Sequence, residues 1–274
     1  MPLRRAQRAG GSRRRRRRGS PQAPRAVAPR CGCAGPSRAT LAYRAVVRAN
    51  WKRVAADLDR WGYARIPRVL GARDCDRLAA LYARDEAFRK TISMDAHRFG
   101  CGEYRYFRYP LPPRVHELRE ALYPQLAQIA NAWQERLADP VRFEPTLAGF
   151  VRRCHVQGQT RPTPLLLHYE AGGFNNLHQD LYGAIAFPLQ VTILLSRPGI
   201  EFEGGEFLLV EQRPRQQSRG CAIALAHGEA IVFATRERPV DGARGTYRAA
   251  LRHGVSPLHS GRRTALGIIF HDAT

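Results

Sequence analysis

His178 and Asp180 stand two residues apart in the stretch Asn-Asn-Leu-His-Gln-Asp-Leu-Tyr (175–182), and a third candidate ligand, His253, follows at a distance. Alternate residues of an extended chain face the same way, so a His-x-Asp step offers an imidazole and a carboxylate to one metal ion without bending the backbone. Two histidines and a carboxylate form the facial set that holds non-heme iron(II) and leaves the remaining coordination positions open. In a chain with nine histidines and ten aspartates the step also arises by accident, so its surroundings decide its meaning.

Those surroundings are a series of short apolar segments: Ala186 to Leu195, Gly205 to Val210, Ala222 to Leu225, Ala230 to Ala234, Tyr247 to Leu251 and Ala265 to Phe270. Arg197-Pro198-Gly199, Gly204-Gly205, His227-Gly228-Glu229 and Ser260-Gly261 break them where the chain must reverse or adopt positive φ. This spacing predicts an all-β barrel or sandwich. His253 falls at the end of the Tyr247 strand, and Arg263 opens the last strand ten positions later. Adjacent antiparallel strands would carry both to the barrel mouth.

With these residues in place, the chain from about Arg161 to Ala273 resembles the iron(II)/2-oxoglutarate oxygenase superfamily. That superfamily carries His-x-Asp near its second strand, a distal His on its seventh and a basic residue on its eighth. Tyr169-Glu-Ala-Gly172 resembles the Tyr-x-x-Gly lead-in of the prolyl hydroxylase-like branch, and Gly204-Gly205-Glu206-Phe207 resembles its Gly-Gly-Glu strand. Where that branch often has a tyrosine three residues before the first ligand, this chain has Asn175. The stretches His168 to Gly183, Phe187 to Gln190, Gln212 to Arg215, Leu251 to Ser256 and Gly267 to Asp272 resemble a bacterial subfamily proposed to act in oxidative demethylation of damaged DNA. The likeness reaches back to Trp51.

The resemblance implies a mainly β fold with flanking helices, a double-stranded β-helix of the jelly-roll or cupin-like kind. It implies that His178, Asp180 and His253 bind Fe(II), with 2-oxoglutarate as cosubstrate, O2 as co-reactant and ascorbate as reductant. Arg263 would hold the far carboxylate of 2-oxoglutarate, a task suited to a planar guanidinium that donates two parallel hydrogen bonds and stays charged when desolvated. Arg262 is its neighbour, and alternation places the two on opposite faces. Tyr169 would donate its phenol to the same cosubstrate, and Gln190 or Thr192 would line the inner wall; ordinary packing is the competing reading for all three. The chemistry implied is hydroxylation of a C–H bond coupled to decarboxylation of 2-oxoglutarate to succinate, and an N-methyl group so hydroxylated leaves as formaldehyde.

Other histidines take blander readings. His168 precedes Glu170 by two and His271 precedes Asp272, but a surface or satisfied core histidine is expected for each. His97, His116, His155, His227 and His259 have no carboxylate at useful spacing within a strand and receive no role. Three function classes follow: an oxygenase acting on alkylated nucleic acid, the same chemistry on a protein or amino-acid side chain, and a non-catalytic β-barrel binding module.

Helical periods occupy the front half, with Leu58, Trp61, Leu78, Leu81, Tyr82 and Phe88 in one set and Leu118, Leu122, Leu126, Ile129 and Trp133 in another. Pro110, Pro112 and Pro113 separate the two, and Pro124 is expected to kink or restart the second. Between them Phe99 to Tyr109 interleaves aromatics with Arg105 and Arg108, a strip that either stacks bases, covers the site entrance or packs as a strand. The division expected is a disordered Arg-rich tail over 1–40, a helical supporting region over 41–150 and the oxygenase core over 151–274.

The tail holds twelve arginines and no acidic residue before Ala39, six of them consecutive from 13 to 18. Such a segment cannot bury enough apolar surface to fold. It reads as a nucleic-acid-binding arm, a basic transit peptide lacking an amphipathic face, or translation from an upstream start. Removing its twelve charges from the formal +22 leaves about +10 on the remainder, an attraction for nucleic acid. Only Lys52 and Lys90 are lysines, so codon bias contributes to that balance. Six cysteines, at 31, 33, 75, 101, 154 and 221, form no disulfide framework, which fits a reducing cytoplasm. No apolar run is long enough for a bilayer span.

Overall fold

Turn residues and alternating apolar positions divide the chain into strands that helices then brace. A computed structural model describes residues 41–274, and these fall in one compact unit. The Arg-rich segment 1–40 lies outside the described residues. In order, the elements are α1 (Leu41–Val47), α2 (Trp51–Trp61), β1 (Tyr63–Ile66), α3 (Ala72–Ala80), β2 (Phe88–Ser93), β3 (Gly100–Cys101), β4 (Glu103–Phe107), α4 (Pro113–Arg136) and α5 (Leu147–Val156). The barrel strands follow: β5 (Leu165–Glu170), β6 (Phe174–His178), β7 (Leu189–Leu194), β8 (Phe202–Gly204), β9 (Phe207–Gln212), β10 (Arg219–Ile223), β11 (Ala230–Ala234), β12 (Glu237–Gly242), β13 (Gly245–Val255) and β14 (Leu258–Ile268).

Two antiparallel sheets result. The larger has the order β1-β11-β7-β14-β5-β4-β2, with β8 added against β14. The smaller has the order β10-β9-β13-β6-β3, with β12 added against β13. The fold is thus mainly β with flanking helices, the jelly-roll arrangement that the sequence predicts.

The helical supporting region expected over 41–150 also contributes strands to the sheets. Tyr63-Ala-Arg-Ile66 alternates in burial and pairs with β11, while β4 pairs with β5 and β2 extends the same sheet. No boundary falls at residue 150, because α5 runs across it and the front-half strands join the barrel's sheets, β1, β2 and β4 the larger and β3 the smaller. Helices form around Leu58, Trp61 and Leu78 and over the second set, but Leu81 and Tyr82 fall in a 3-10 turn and Phe88 opens β2. Asn50 caps α2 by accepting from the Arg53 N–H at 3.0 Å, and Gly62 ends it at φ +80°. In α4 the predicted Leu118, Leu122, Leu126, Ile129 and Trp133 are all buried. That helix starts on Pro113 and runs unbroken through Pro124, so the restart expected there does not occur. Rings of Tyr123, Phe143, Phe150, Phe187 and Phe270, with centroids 5.0–5.8 Å apart, join α4 and α5 to the barrel.

Two buried ion pairs tie helices to strands. Arg119 of α4 donates to Asp272 at 2.8 Å and to the Phe270 carbonyl at 2.6 Å, and Asp272 also takes the Tyr109 hydroxyl and His155. Arg238 of β12 meets Glu211 of β9 at 2.6 Å and reaches the Asp59 carbonyl on α2. His155 is thus one arm of a structural network. Among the described residues Cys75, Cys101, Cys154 and Cys221 are free, and no helix is long and apolar enough to cross a membrane.

Candidate metal centre and cosubstrate cavity

β6 and β13 lie side by side in the smaller sheet with His178 directly opposite His253. Such close approach depends on Gly254, where a Cβ would stand 2.5 Å from the Asn175 carbonyl oxygen of the facing strand. Gly254→Ala is therefore expected to part the two strands. It should lower the melting temperature and shrink the further rise that added Co(II) gives, both readable in a thermal unfolding scan.

Asp180 follows β6 by two residues and closes the group. Its Oδ2 is 3.2 Å from His253 Nε2, its Oδ1 is 3.6 Å from His178 Nε2, and the two imidazole centroids are 4.2 Å apart. One ligand atom from each residue can be chosen so that all three lie within 4.8 Å of one another. His178 Nδ1 sits 2.7 Å from the Asn176 carbonyl. A carbonyl only accepts, so Nδ1 carries the proton and the Nε2 lone pair is left for a metal. Burial would raise the Asp180 carboxyl, but the hydrogen bond and charge of His253, the charge of His178 and the Tyr182 hydroxyl outweigh it, and the group lies well below the usual carboxylate range. Burial and the neighbouring His178 push the His253 imidazole down. Both shifts favour the forms that bind a cation: an ionised carboxylate and a neutral imidazole.

These three side chains share a cavity of about 200 Å³ with Arg263. Arg263 comes from the middle of β14, opposite Tyr169 on β5, and is 2% exposed. Of the three largest buried arginines, Arg119 and Arg238 each hold a buried carboxylate, whereas Arg263 pairs with none among the described residues and its Nε has no hydrogen-bond partner. Its guanidinium instead packs near the rings of Tyr169 and Phe202, at 5.7 and 6.0 Å. A buried cation of this kind calls for an anion from outside the chain.

Arg262, by contrast, is exposed and meets Glu170 at 3.2 Å on the surface, as alternation along β14 requires. Gln190 and Thr192 line the cavity, and Gln190 Nε2 lies 3.5 Å from His253 Nε2. Tyr169 is wholly buried beneath Arg263 and is absent from the cavity lining; burial pushes its phenol up to about 12. The strip Phe99 to Tyr109 divides its roles: Tyr106 and Phe107 are core residues of β4, while Phe99 and Tyr104 line the cavity. Phe99 is 48% exposed and stacks on His97 with centroids 5.3 Å apart.

The remaining histidines near the site each make a contact within the fold, although His271 Nε2 has no hydrogen-bond partner among the described residues. His168 Nδ1 pairs with Thr264 Oγ1 at 3.0 Å and its ring stacks on Tyr82, while His271 Nδ1 accepts the Phe187 N–H. Two participants escaped the sequence reading. Tyr182 donates its hydroxyl to Asp180, and the alternation 178, 180, 182 was the signal for it. Gln159, buried beneath the loop after Asp180, left no such signal.

Comparison with known proteins agrees with this geometry. The family Oxygenase-NA, described as "Oxygenase, catalysing oxidative methylation of damaged DNA", matches residues 102–273. The chain belongs to this oxygenase family. It is an oxygenase. The oxygenase is 47% identical over 190 residues to the uncharacterized proteins Rv2227 and MT2286 of two Mycobacterium tuberculosis strains, a match covering 68% of this chain and 81% of each relative. Two solved structures share its fold with a TM-score of 0.50. One is a prolyl hydroxylase from Trichoplax adhaerens in complex with a hypoxia inducible factor peptide, at 15% identity, covering 84% of this chain and 90% of that one. The other is a prolyl 4-hydroxylase from Phytophthora capsici, at 18% identity, covering 85% and 66%.

Proposed function

We propose that the oxygenase holds iron(II) through His178, Asp180 and His253 and anchors the far carboxylate of 2-oxoglutarate on Arg263, to oxidise an alkyl group on nucleic acid. The observation that carries the reading is the buried, unpaired guanidinium sharing one cavity with a two-histidine, one-carboxylate cluster. The donor set suits iron(II) in a site with open positions, and the lone cation suits a dicarboxylate cosubstrate. Iron(II) with 2-oxoglutarate and O2 supplies the oxidation that hydroxylates a C–H bond as the keto acid becomes succinate and CO2.

The protein's own part is placement. His178 is fixed by the Asn176 carbonyl, Arg263 orients the cosubstrate from the far end, and Phe207 and Phe233 pack against His253 and keep water from it. For the substrate, support comes from the family's description, from the excess positive charge, and from exposed Phe99 at the cavity, where a base can stack. Arg98 and Arg236 add to it. Both are exposed and without a carboxylate partner among the described residues, and their carbonyls accept hydrogen bonds from Asn176 and Gln179 at 3.1 Å.

The test supplies the full chain with iron, ascorbate and 2-oxoglutarate and follows succinate, formaldehyde and substrate mass with methylated oligonucleotides and with peptide pools. Succinate and formaldehyde with the oligonucleotide methyl lost, all reduced to background by His178→Ala, is the expected result. A mass gain on peptides with unchanged oligonucleotides would transfer the chemistry to a protein substrate.

A further inference from the structure

Asp180 belongs to no strand, yet its carboxylate is held at both oxygens. Tyr182 donates its phenol hydroxyl to Oδ1 over 2.6 Å, while Oδ2 faces His253. The loop that carries Tyr182 is itself clamped. Gln159, fully buried, places its Nε2 within reach of the carbonyls of Tyr182 (3.1 Å), Ile185 (2.9 Å) and Asp272 (2.6 Å), and its Oε1 accepts the Ile185 N–H at 2.7 Å. Gly183, at φ +109°, lets the loop pass over that amide, since a Cβ there would stand 2.5 Å from Gln159 Cδ. On its other side the Tyr182 ring meets Tyr106 edge-on, with centroids 6.1 Å apart. Backbone, ring and hydroxyl of Tyr182 are therefore all fixed, and the hydroxyl ends on the carboxylate.

We propose that Tyr182 is a positioning residue of the metal centre, occupying Oδ1 so that Asp180 offers Oδ2 alone to the ion. A carboxylate with two free oxygens can bind through both and consume a position that the cosubstrate or O2 needs; one whose second oxygen is tied by a strong donor binds through one. This rests on the reading that His178, Asp180 and His253 are the ligands. The hydroxyl also holds the carboxylate in place before the ion arrives, which lowers the ordering cost of binding.

The experiment is an anaerobic titration of the full chain with Co(II), for wild type, Tyr182→Phe, Tyr106→Phe and Asp180→Ala, reading the dissociation constant and the d–d absorption of the bound ion. Tyr182→Phe should weaken binding about 10- to 100-fold, as loss of an outer hydrogen bond to a metal ligand does. It should also change the absorption as the carboxylate turns to bind through both oxygens. Tyr106→Phe, which removes a hydroxyl hydrogen-bonded to the Tyr182 phenol but leaves that phenol and its contact with Asp180, should weaken binding less than Tyr182→Phe and keep the wild-type absorption. Wild-type constant and spectrum in Tyr182→Phe, or an equal loss in Tyr106→Phe, would overturn the proposal while the metal assignment stood. Failure of wild type to bind Co(II), or undiminished binding by Asp180→Ala, would instead overturn both.

Discussion

Arg263→Leu should yield a protein that melts at a higher temperature than wild type when 2-oxoglutarate is absent, yet no longer binds it. The guanidinium is buried without an ion-pair partner among the described residues, and the charge of nearby Glu206 only partly offsets that loss, so burial pushes its pKa down. Replacing buried ionic groups by apolar ones of similar size is often stabilising by about 1–4 kcal/mol. At this chain length each kcal/mol moves the midpoint by about 2–4 °C. Binding responds in the opposite sense. Two charge-assisted hydrogen bonds to the cosubstrate carboxylate disappear, and a loss of about 3 kcal/mol corresponds to more than 100-fold in affinity. Thermal scans with and without 2-oxoglutarate, in the presence of Mn(II), read both effects. A lowered midpoint with retained 2-oxoglutarate affinity would show that Arg263 serves the fold.

The other large effect is expected at Asp272, where the same physics has the opposite sign. Asp272 and Arg119 form a pair shielded from solvent, and Tyr109 and His155 complete the carboxylate's hydrogen bonds. Asp272→Ala leaves the Arg119 charge stranded between α4 and the barrel, and breaking such a pair costs about 3–5 kcal/mol. The midpoint should fall by about 6–20 °C on the same scale. The double variant Arg119→Leu/Asp272→Leu should recover most of that loss, because no lone charge remains. Chemical denaturation of the two single variants and the double variant gives the coupling directly. A double variant as unstable as Asp272→Ala would show that packing around Phe270, and not charge, governs this corner.

The contrast between these two arginines marks what a sequence can disclose. Residues 178 and 180 announce themselves because their relation is local, and β11 matches its expected bounds because Ala-Ile-Val-Phe-Ala is wholly buried between clear turn signals. β13 is longer than expected because arginines at 248 and 252 occupy its solvent face and mask the alternation. The short strands β1 and β2 escaped notice because each is flanked by helical periods and finds its partner far along the chain or in another short strand, whereas β4 realises the strand reading of Phe99 to Tyr109. Arg262 and Arg263 separate cleanly by alternation, but only the fold reveals that one has a surface partner and the other none. Tyr169, expected against the cosubstrate, is set beneath Arg263 by the β5–β14 register, its buried hydroxyl without a hydrogen-bond partner among the described residues. Gln159 is invisible in sequence, since its partners are backbone atoms 23, 26 and 113 residues away.

The strands contributed by the front half carry a practical corollary for anyone trimming the gene. A fragment beginning near residue 151 would retain every metal-ligand candidate and Arg263, but it would strip β11, β5 and β6 of their outer neighbours. Three naked rows of amide and carbonyl groups, two of them beside apolar Ile231, Val232 and Leu166, invite association between copies. Insoluble product from such a truncation would report unsatisfied sheet margins and carry no information about catalysis.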